Sequence, residues 1–234
     1  MLLVFAFGCS SESPTPGDEP SAVKERDVQF ETSDGLTLTG RLFGTGGVGV
    51  TLAHAFPADA RSLYPAAEAI AEAGYVVLAF NFRGYADSSG TKNIASAPVD
   101  VAAARDMLED QGAKEFAFVG ASMGGTASLI AAATLDPLTV VTVSAPLRFR
   151  RLDAASIAGR VQRPALLMAS RDDGEAMESL NQLRSALPNP DTKVFDGSAH
   201  GTGLLDARPE AVEEIVTFLQ RYAPLRLPVP TTEP

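Results

Sequence analysis

Short, nearly unbroken apolar runs recur along the chain, at Val48 to Leu52, Tyr75 to Phe80, Phe116 to Val119, Val140 to Val143 and Ala165 to Met168. Each is too short for a helix and lacks an exposed alternate, the pattern of a strand buried on both faces. Between and after them lie Ala-rich segments with apolar residues at helical spacing, which predict helices at Tyr64 to Ala73, Pro98 to Gln111, Thr126 to Thr134, Met177 to Leu187 and Pro209 to Tyr222. Ahead of the first run, Val28 to Glu31 and Leu36 to Phe43 flank an Asp34-Gly35 pair, the chemistry of a tight antiparallel hairpin. An antiparallel start followed by repeated strand-helix-strand crossovers specifies a mostly parallel, twisted sheet with helices on both faces, an α/β fold. In such a sheet ligands bind at the carboxyl ends of the strands.

The pattern fails at both ends. Residues 1–8, MLLVFAFG, are an uncharged apolar run too short to cross a bilayer but adequate as a signal-peptide core. Gly8 closes it and Cys9 follows, and residues 9–26 are rich in Ser, Pro and acid, the composition of a flexible tether. This arrangement resembles a bacterial lipoprotein signal. The resemblance implies cleavage before Cys9, lipid on its thiol, and an exported protein anchored to a membrane and facing the periplasm or the cell exterior. The folding domain is expected over residues 27–223, with a Pro-rich tail at 224–234.

Composition narrows the chemistry. Of 234 residues, 45% are hydrophobic and 21% charged, as in a folded globular domain. With 29 acidic against 19 basic side chains the net charge is -10, which repels nucleic acid. One cysteine makes no intrachain disulfide or multi-Cys metal site, and two histidines offer little for metal ligation, so no metal or other cofactor is expected. No protein partner is indicated either.

The strongest local signal is FAFVGASMGGT at 116–126. A strand ends at Gly120, Ser122 stands at the apex, and Gly124 and Gly125 open a helix, giving G-x-S-x-G between strand and helix. A turn this sharp strains the serine backbone and demands small neighbours. The helix behind Ser122 aims its unpaired N–H groups at the hydroxyl, where they favour a bound oxyanion. A serine needs a base, and the histidines are His54 and His200. His54 ends an early buried strand, whereas His200 lies in a Gly-rich loop before the last helix, so His200 is the expected base and His54 a residue that orients its loop through hydrogen bonds. A carboxylate must fix the imidazole tautomer, and Asp172 and Asp173 both follow the strand PALLMAS. The chain order serine, acid, histidine is the one this strand-turn-helix nucleophile carries.

Taken together, the elbow GASMGG, the loops LAHAFP and NFRGYADSSG, the acid loop SRDDG and the histidine loop GSAHG resemble, in order, the landmarks of the α/β-hydrolase fold superfamily. The resemblance implies a serine hydrolase acting through an acyl-enzyme. In the acid loop it places Ser170 where the family carries glycine, which puts the acid role on Asp173. It also implies an oxyanion hole made by the backbone N–H groups of Met123 and of Phe56, with Ala55 standing where the family usually has glycine. The segment Ala145 to Pro164 is short, so no sizeable lid is expected, and its PLRFRR run puts Arg148, Arg150 and Arg151 near the mouth of the site. The implied activity is hydrolysis of a small-molecule carboxylic ester. Thioesterase, peptidase-like and perhydrolase activities share the same triad, and leaving-group preference separates them. A tethered binding protein without catalysis is the reading of a different class.

Overall fold

The computed structural model describes residues 23–225, so the apolar leader, Cys9, most of the proposed tether and most of the Pro-rich tail lie outside the described residues. Ten strands run in chain order: β1 (Glu25–Glu31), β2 (Thr37–Phe43), β3 (Val48–Ala53), β4 (Val76–Phe80), β5 (Glu115–Ala121), β6 (Thr139–Val143), β7 (Arg148–Phe149), β8 (Leu152–Asp153), β9 (Ala165–Ser170) and β10 (Asp191–Phe195). The helices are α1 (Tyr64–Glu72), α2 (Ala97–Asp110), α3 (Met123–Leu135), α4 (Gly174–Ala186), α5 (Thr202–Ala207) and α6 (Pro209–Tyr222). Eight strands form one sheet in the order β1-β2-β4-β3-β5-β6-β9-β10, antiparallel at β1-β2 and β2-β4 and parallel from β4 onward.

The apolar runs are buried on both faces because successive side chains enter two different cores. Along β4, Val76, Leu78 and Phe80 join one cluster while Val77 and Ala79 join the other. Helices α2, α3 and α4 cover the first face through residues such as Val101, Leu108, Leu129 and Leu180. Helices α1 and α6 cover the second through Ile70, Ile215 and Leu219. Full burial of each such side chain contributes about 1.5–3 kcal/mol, so the amphipathic faces hold the helices to the sheet.

Three local features differ from the sequence expectation. The first hairpin is not tight: β1 and β2 close across residues 32–36, with the Thr32 N–H donating to the Leu36 carbonyl at 2.8 Å and Gly35 taking φ +80°. The cause is side-chain bonding, since the Thr32 hydroxyl donates to Asp34 at 2.6 Å and accepts from the Leu36 N–H at 3.0 Å. Helix α3 extends from Met123 to Leu135, beyond the periodic segment Thr126 to Thr134, and takes the two glycines that open it into its first turn. A short helix, α5, stands between the histidine loop and the last helix. The segment from β6 to β9 is small, consisting of the β7-β8 hairpin and a single 3-10 turn at Ala158–Arg160.

The chain runs from β3 outward to β4 and then returns to place β5 on the other side of β3. This reversal opens a crevice at the carboxyl ends of β3 and β5.

Candidate active site

Ser122 stands between β5 and α3 with φ 48° and ψ -117°, a conformation that L residues rarely adopt. The strain is locked by contacts that only glycine permits: a Cβ on Gly124 would lie 2.1 Å from the Ala53 carbonyl oxygen, and one on Gly120 would lie 2.3 Å from the Gly124 carbonyl oxygen. The Ser122 N–H donates to the Val143 carbonyl at 2.8 Å, tying the apex to β6. Ser122 is 5% exposed, so its backbone is enclosed by its neighbours.

His200 and Asp173 reach Ser122 from the ends of other strands. The Ser122 hydroxyl lies 2.8 Å from His200 Nε2, and His200 Nδ1 lies 2.6 Å from Asp173 Oδ2. The Asp173 side chain is 12% exposed and the His200 side chain 46%, so the acid is sheltered while the imidazole faces the opening. A Cβ on Gly201 would stand 3.4 Å from Ser122 Cβ and 3.5 Å from Ala55 Cβ, so the histidine loop rests directly on the serine turn. Asp172 is exposed, and its N–H donates to the Gly197 carbonyl at 2.9 Å. Of the two candidate acids, Asp173 is therefore the one that meets His200.

Met123 and Phe56 follow β5 and β3 respectively, at the adjacent carboxyl ends. Among the described residues no acceptor takes the backbone N–H of either one. Gly124 packs on the Ala53 and His54 carbonyls, which brings the start of α3 against the loop that carries Phe56.

His54 lies in that loop and is fully buried. Its Nδ1 donates to the Ala55 carbonyl at 2.9 Å, which leaves Nε2 to accept from the Phe82 N–H at 3.2 Å. The ring thus joins the loop after β3 to the loop after β4, and Phe82 and Tyr85 pack edgewise against it. Burial pushes its imidazole down to about 4, so it is neutral near pH 7. The unfolded chain binds this proton below pH ~6.5 while the folded one does not until about 4, so stability falls as pH drops through that window. The loss from this residue amounts to about 2 kcal/mol by pH ~5 and about 3 kcal/mol below pH ~4. Urea titrations of the protein and of His54→Asn at pH 7 and pH 5 measure it: the native protein should lose the additional ~2 kcal/mol that the variant does not.

The loop after β4 is held by a cluster that no local sequence pattern announces. Arg83, 5% exposed at its side chain, donates from Nε and Nη2 to Asp100 Oδ1 at 2.8 and 2.6 Å, and its N–H donates to Asp100 Oδ2 at 3.0 Å. Its Nη1 and Nη2 also reach Asp34 at 2.6 and 3.0 Å. Arg83 thereby clamps the first hairpin and α2 to the loop that packs on His54. Its hydrogen bonds hold the Asp34 carboxyl well below the usual carboxylate range. Burial pushes the Asp100 carboxyl up, against the pull of Arg83. Replacing Arg83 with Met strands the buried Asp100, and the expected loss is about 3–5 kcal/mol by urea unfolding. Adding Asp100→Leu to that variant should recover part of the loss, because an apolar pair needs no charge partner.

A family model for the alpha/beta hydrolase fold matches residues 50–146. An esterase of Pyrococcus furiosus superposes with TM-score 0.75 at 19% identity, covering 89% of this chain and 96% of that one. The chain has the α/β-hydrolase fold. An esterase of Exiguobacterium antarcticum gives TM-score 0.71 at 14% identity, covering 82% of this chain and 98% of that one. A bromoperoxidase of Bacillus anthracis gives 0.70 at 16%, covering 83% and 100%. No curated protein sequence matches the chain. The serine turn, the acid loop and the histidine loop lie at the carboxyl ends of β5, β9 and β10, and among the described residues the segment between β6 and β9 is only the β7-β8 hairpin and one 3-10 turn.

Proposed function

We propose that the protein is a serine hydrolase that cleaves small-molecule carboxylic esters through an acyl-enzyme. The observation that carries this reading is the continuous hydrogen-bonded line from the Ser122 hydroxyl through His200 to Asp173. His200 accepts the Ser122 proton as the oxygen attacks the ester carbonyl carbon. The developing oxyanion takes the free N–H groups of Met123 and Phe56, at the positive end of the α3 dipole. The carbonyl re-forms, the C–O bond to the alcohol breaks, and the alcohol leaves with the proton from His200. Water, deprotonated by His200, then attacks the acyl-enzyme and returns Ser122 with a carboxylic acid as product. Esters are favoured over amides because an alkoxide is a better leaving group than an amine, and the small β6-β9 segment leaves the mouth open to solvent-borne substrates.

Hydrolysis of p-nitrophenyl esters from acetyl to dodecanoyl tests this. The protein should release p-nitrophenol with turnover, and rapid quenching should recover an acyl mass on the peptide that contains Ser122. A folded sample that shows neither turnover nor acyl adduct would overturn the reading.

We propose further that Cys9 carries lipid and that residues 9–26 tether the hydrolase domain to a membrane. The support is the apolar leader, the cysteine and the solvated segment that follows it. Labelled palmitate should enter the native protein expressed in bacteria and not Cys9→Ala; equal labelling would remove the tether.

A further inference from the structure

The segment that replaces a lid carries an arginine in an unusual setting. The β7-β8 hairpin turns through Arg150 and Arg151, and Arg150 takes φ 53°. A bulky side chain in the left-handed region costs roughly 1–2 kcal/mol, which glycine avoids. Strain of this kind concentrates at functional sites.

The Arg150 side chain is stacked rather than paired. Its guanidinium carbon lies 4.4 Å from the centroid of the Phe56 ring and 5.7 Å from that of Phe149, and those two rings are 5.8 Å apart. Stacking occupies the face of a guanidinium and leaves its N–H donors free at the edge. Arg148, on the same hairpin, already takes Asp153 at 3.2 Å, whereas no carboxylate pairs with Arg150 among the described residues. In a chain with net charge -10, most arginines find acidic partners, as Arg41, Arg61, Arg83, Arg105, Arg163 and Arg171 do. A second cation is held in the same way: Lys92 stands 4.3 Å above the Tyr85 ring, and the Tyr85 hydroxyl contacts Met123 Sδ at 3.9 Å. Both Lys92 and Arg150 therefore ride on aromatic rings belonging to, or touching, Phe56 and Met123, whose backbone N–H groups find no acceptor among the described residues.

We propose that Arg150 is a specificity-determining residue, binding through its free N–H edge a carboxylate at the far end of the acyl chain, so that the substrates are monoesters of short dicarboxylic acids. This rests on the serine hydrolase reading. The acyl side is assigned because, on the serine hydrolase reading, the Phe56 backbone serves the ester carbonyl, and the ring of the same residue carries the guanidinium. A fork-to-carboxylate pair supplies two parallel charge-assisted hydrogen bonds, and Lys92 adds positive potential without a fixed geometry.

The test compares mono-p-nitrophenyl glutarate with a neutral p-nitrophenyl ester of the same length. The native protein should show kcat/KM higher for the anionic ester by about tenfold or more, the size expected of a charged hydrogen-bonded pair. High salt should shrink the ratio. Arg150→Gln and Arg150→Gly should both bring the ratio close to one, and Arg150→Gly should unfold at higher urea because glycine relieves the turn. Arg184→Gln, which removes an exposed charge near the end of α4, should leave the ratio intact. A native ratio near one, or a ratio that survives in Arg150→Gly, overturns the proposal. If the native protein hydrolyses neither ester, calorimetric binding of mono-p-nitrophenyl glutarate to Ser122→Ala decides: Arg150-dependent binding keeps the anion site while the hydrolase reading fails, and binding that is absent or independent of Arg150 removes the site as well.

Discussion

Ser122→Ala should lower kcat for p-nitrophenyl ester hydrolysis by about 10^5-fold or more, with the fold intact, because loss of a nucleophile leaves only binding and oxyanion stabilisation. The size follows from the division of labour in the site. Deleting the hydroxyl leaves His200 with no Oγ–H to accept and removes the atom that would carry the acyl group, while the N–H groups of Met123 and Phe56 remain. Those groups can still polarise a carbonyl toward attack by water, which sets the floor of the residual rate. Alanine keeps the Cβ and therefore the φ of 48°, so its stability should stay near native. Ser122→Gly should lose as much activity and yet become more stable, since relief of roughly 1–2 kcal/mol of left-handed strain exceeds the ~0.4–1 kcal/mol that glycine adds to unfolded-chain entropy. Activity and urea midpoints measured on both variants separate the two effects. Activity retained in either would place the nucleophile elsewhere, and a less stable glycine variant would mean that the turn is not strained.

How far the sequence carried this site depends on how local each determinant is. The serine turn is local: strand, apex and glycines lie within one short run, and Gly120 is demanded by a collision with the Gly124 carbonyl inside that run, although Gly124 is demanded by the Ala53 carbonyl of the neighbouring strand. The double burial of the central strands is local too, since β4 along its whole length and β9 from Ala165 to Ala169 alternate between two cores without a polar position. The Asp34-Gly35 pair marks the first hairpin correctly but not its tightness, because Thr32 bonds across the loop and Arg83 holds Asp34 from outside it. Arg83 itself was unreadable as a clamp, since its partners Asp34 and Asp100 come from a hairpin and a helix far away in the chain. One signal was available: Asp100 falls beside Val101 and Ala104 on the buried side of α2, where a carboxylate demands a cation. The place of Arg150 depends on a two-residue β7 and a two-residue β8, too short to leave a pattern.

The choice between Asp172 and Asp173 shows how a one-residue ambiguity becomes a measurable difference. Asp173→Asn should lower kcat by about 10^4-fold, and Asp172→Asn should change it by less than about twofold. Only Asp173 meets His200, at 2.6 Å from Nδ1, while Asp172 projects into solvent from a backbone bonded to Gly197. An asparagine at 173 is nearly the same shape, so the loop and the hydrogen bond survive. Its amide nitrogen can donate to Nδ1, which then requires the imidazole proton to sit on Nε2. In that tautomer Nε2 faces the Ser122 hydroxyl as a donor and cannot accept its proton, and the neutral amide no longer stabilises the imidazolium formed during attack. The loss therefore falls on kcat, because the ester carbonyl still finds Met123 and Phe56, and KM should change little. Equal losses in both variants would mean that the acid loop supplies bulk charge rather than a tautomer lock. A large loss in Asp172→Asn alone would move the acid by one residue and overturn the geometry of the loop after β9.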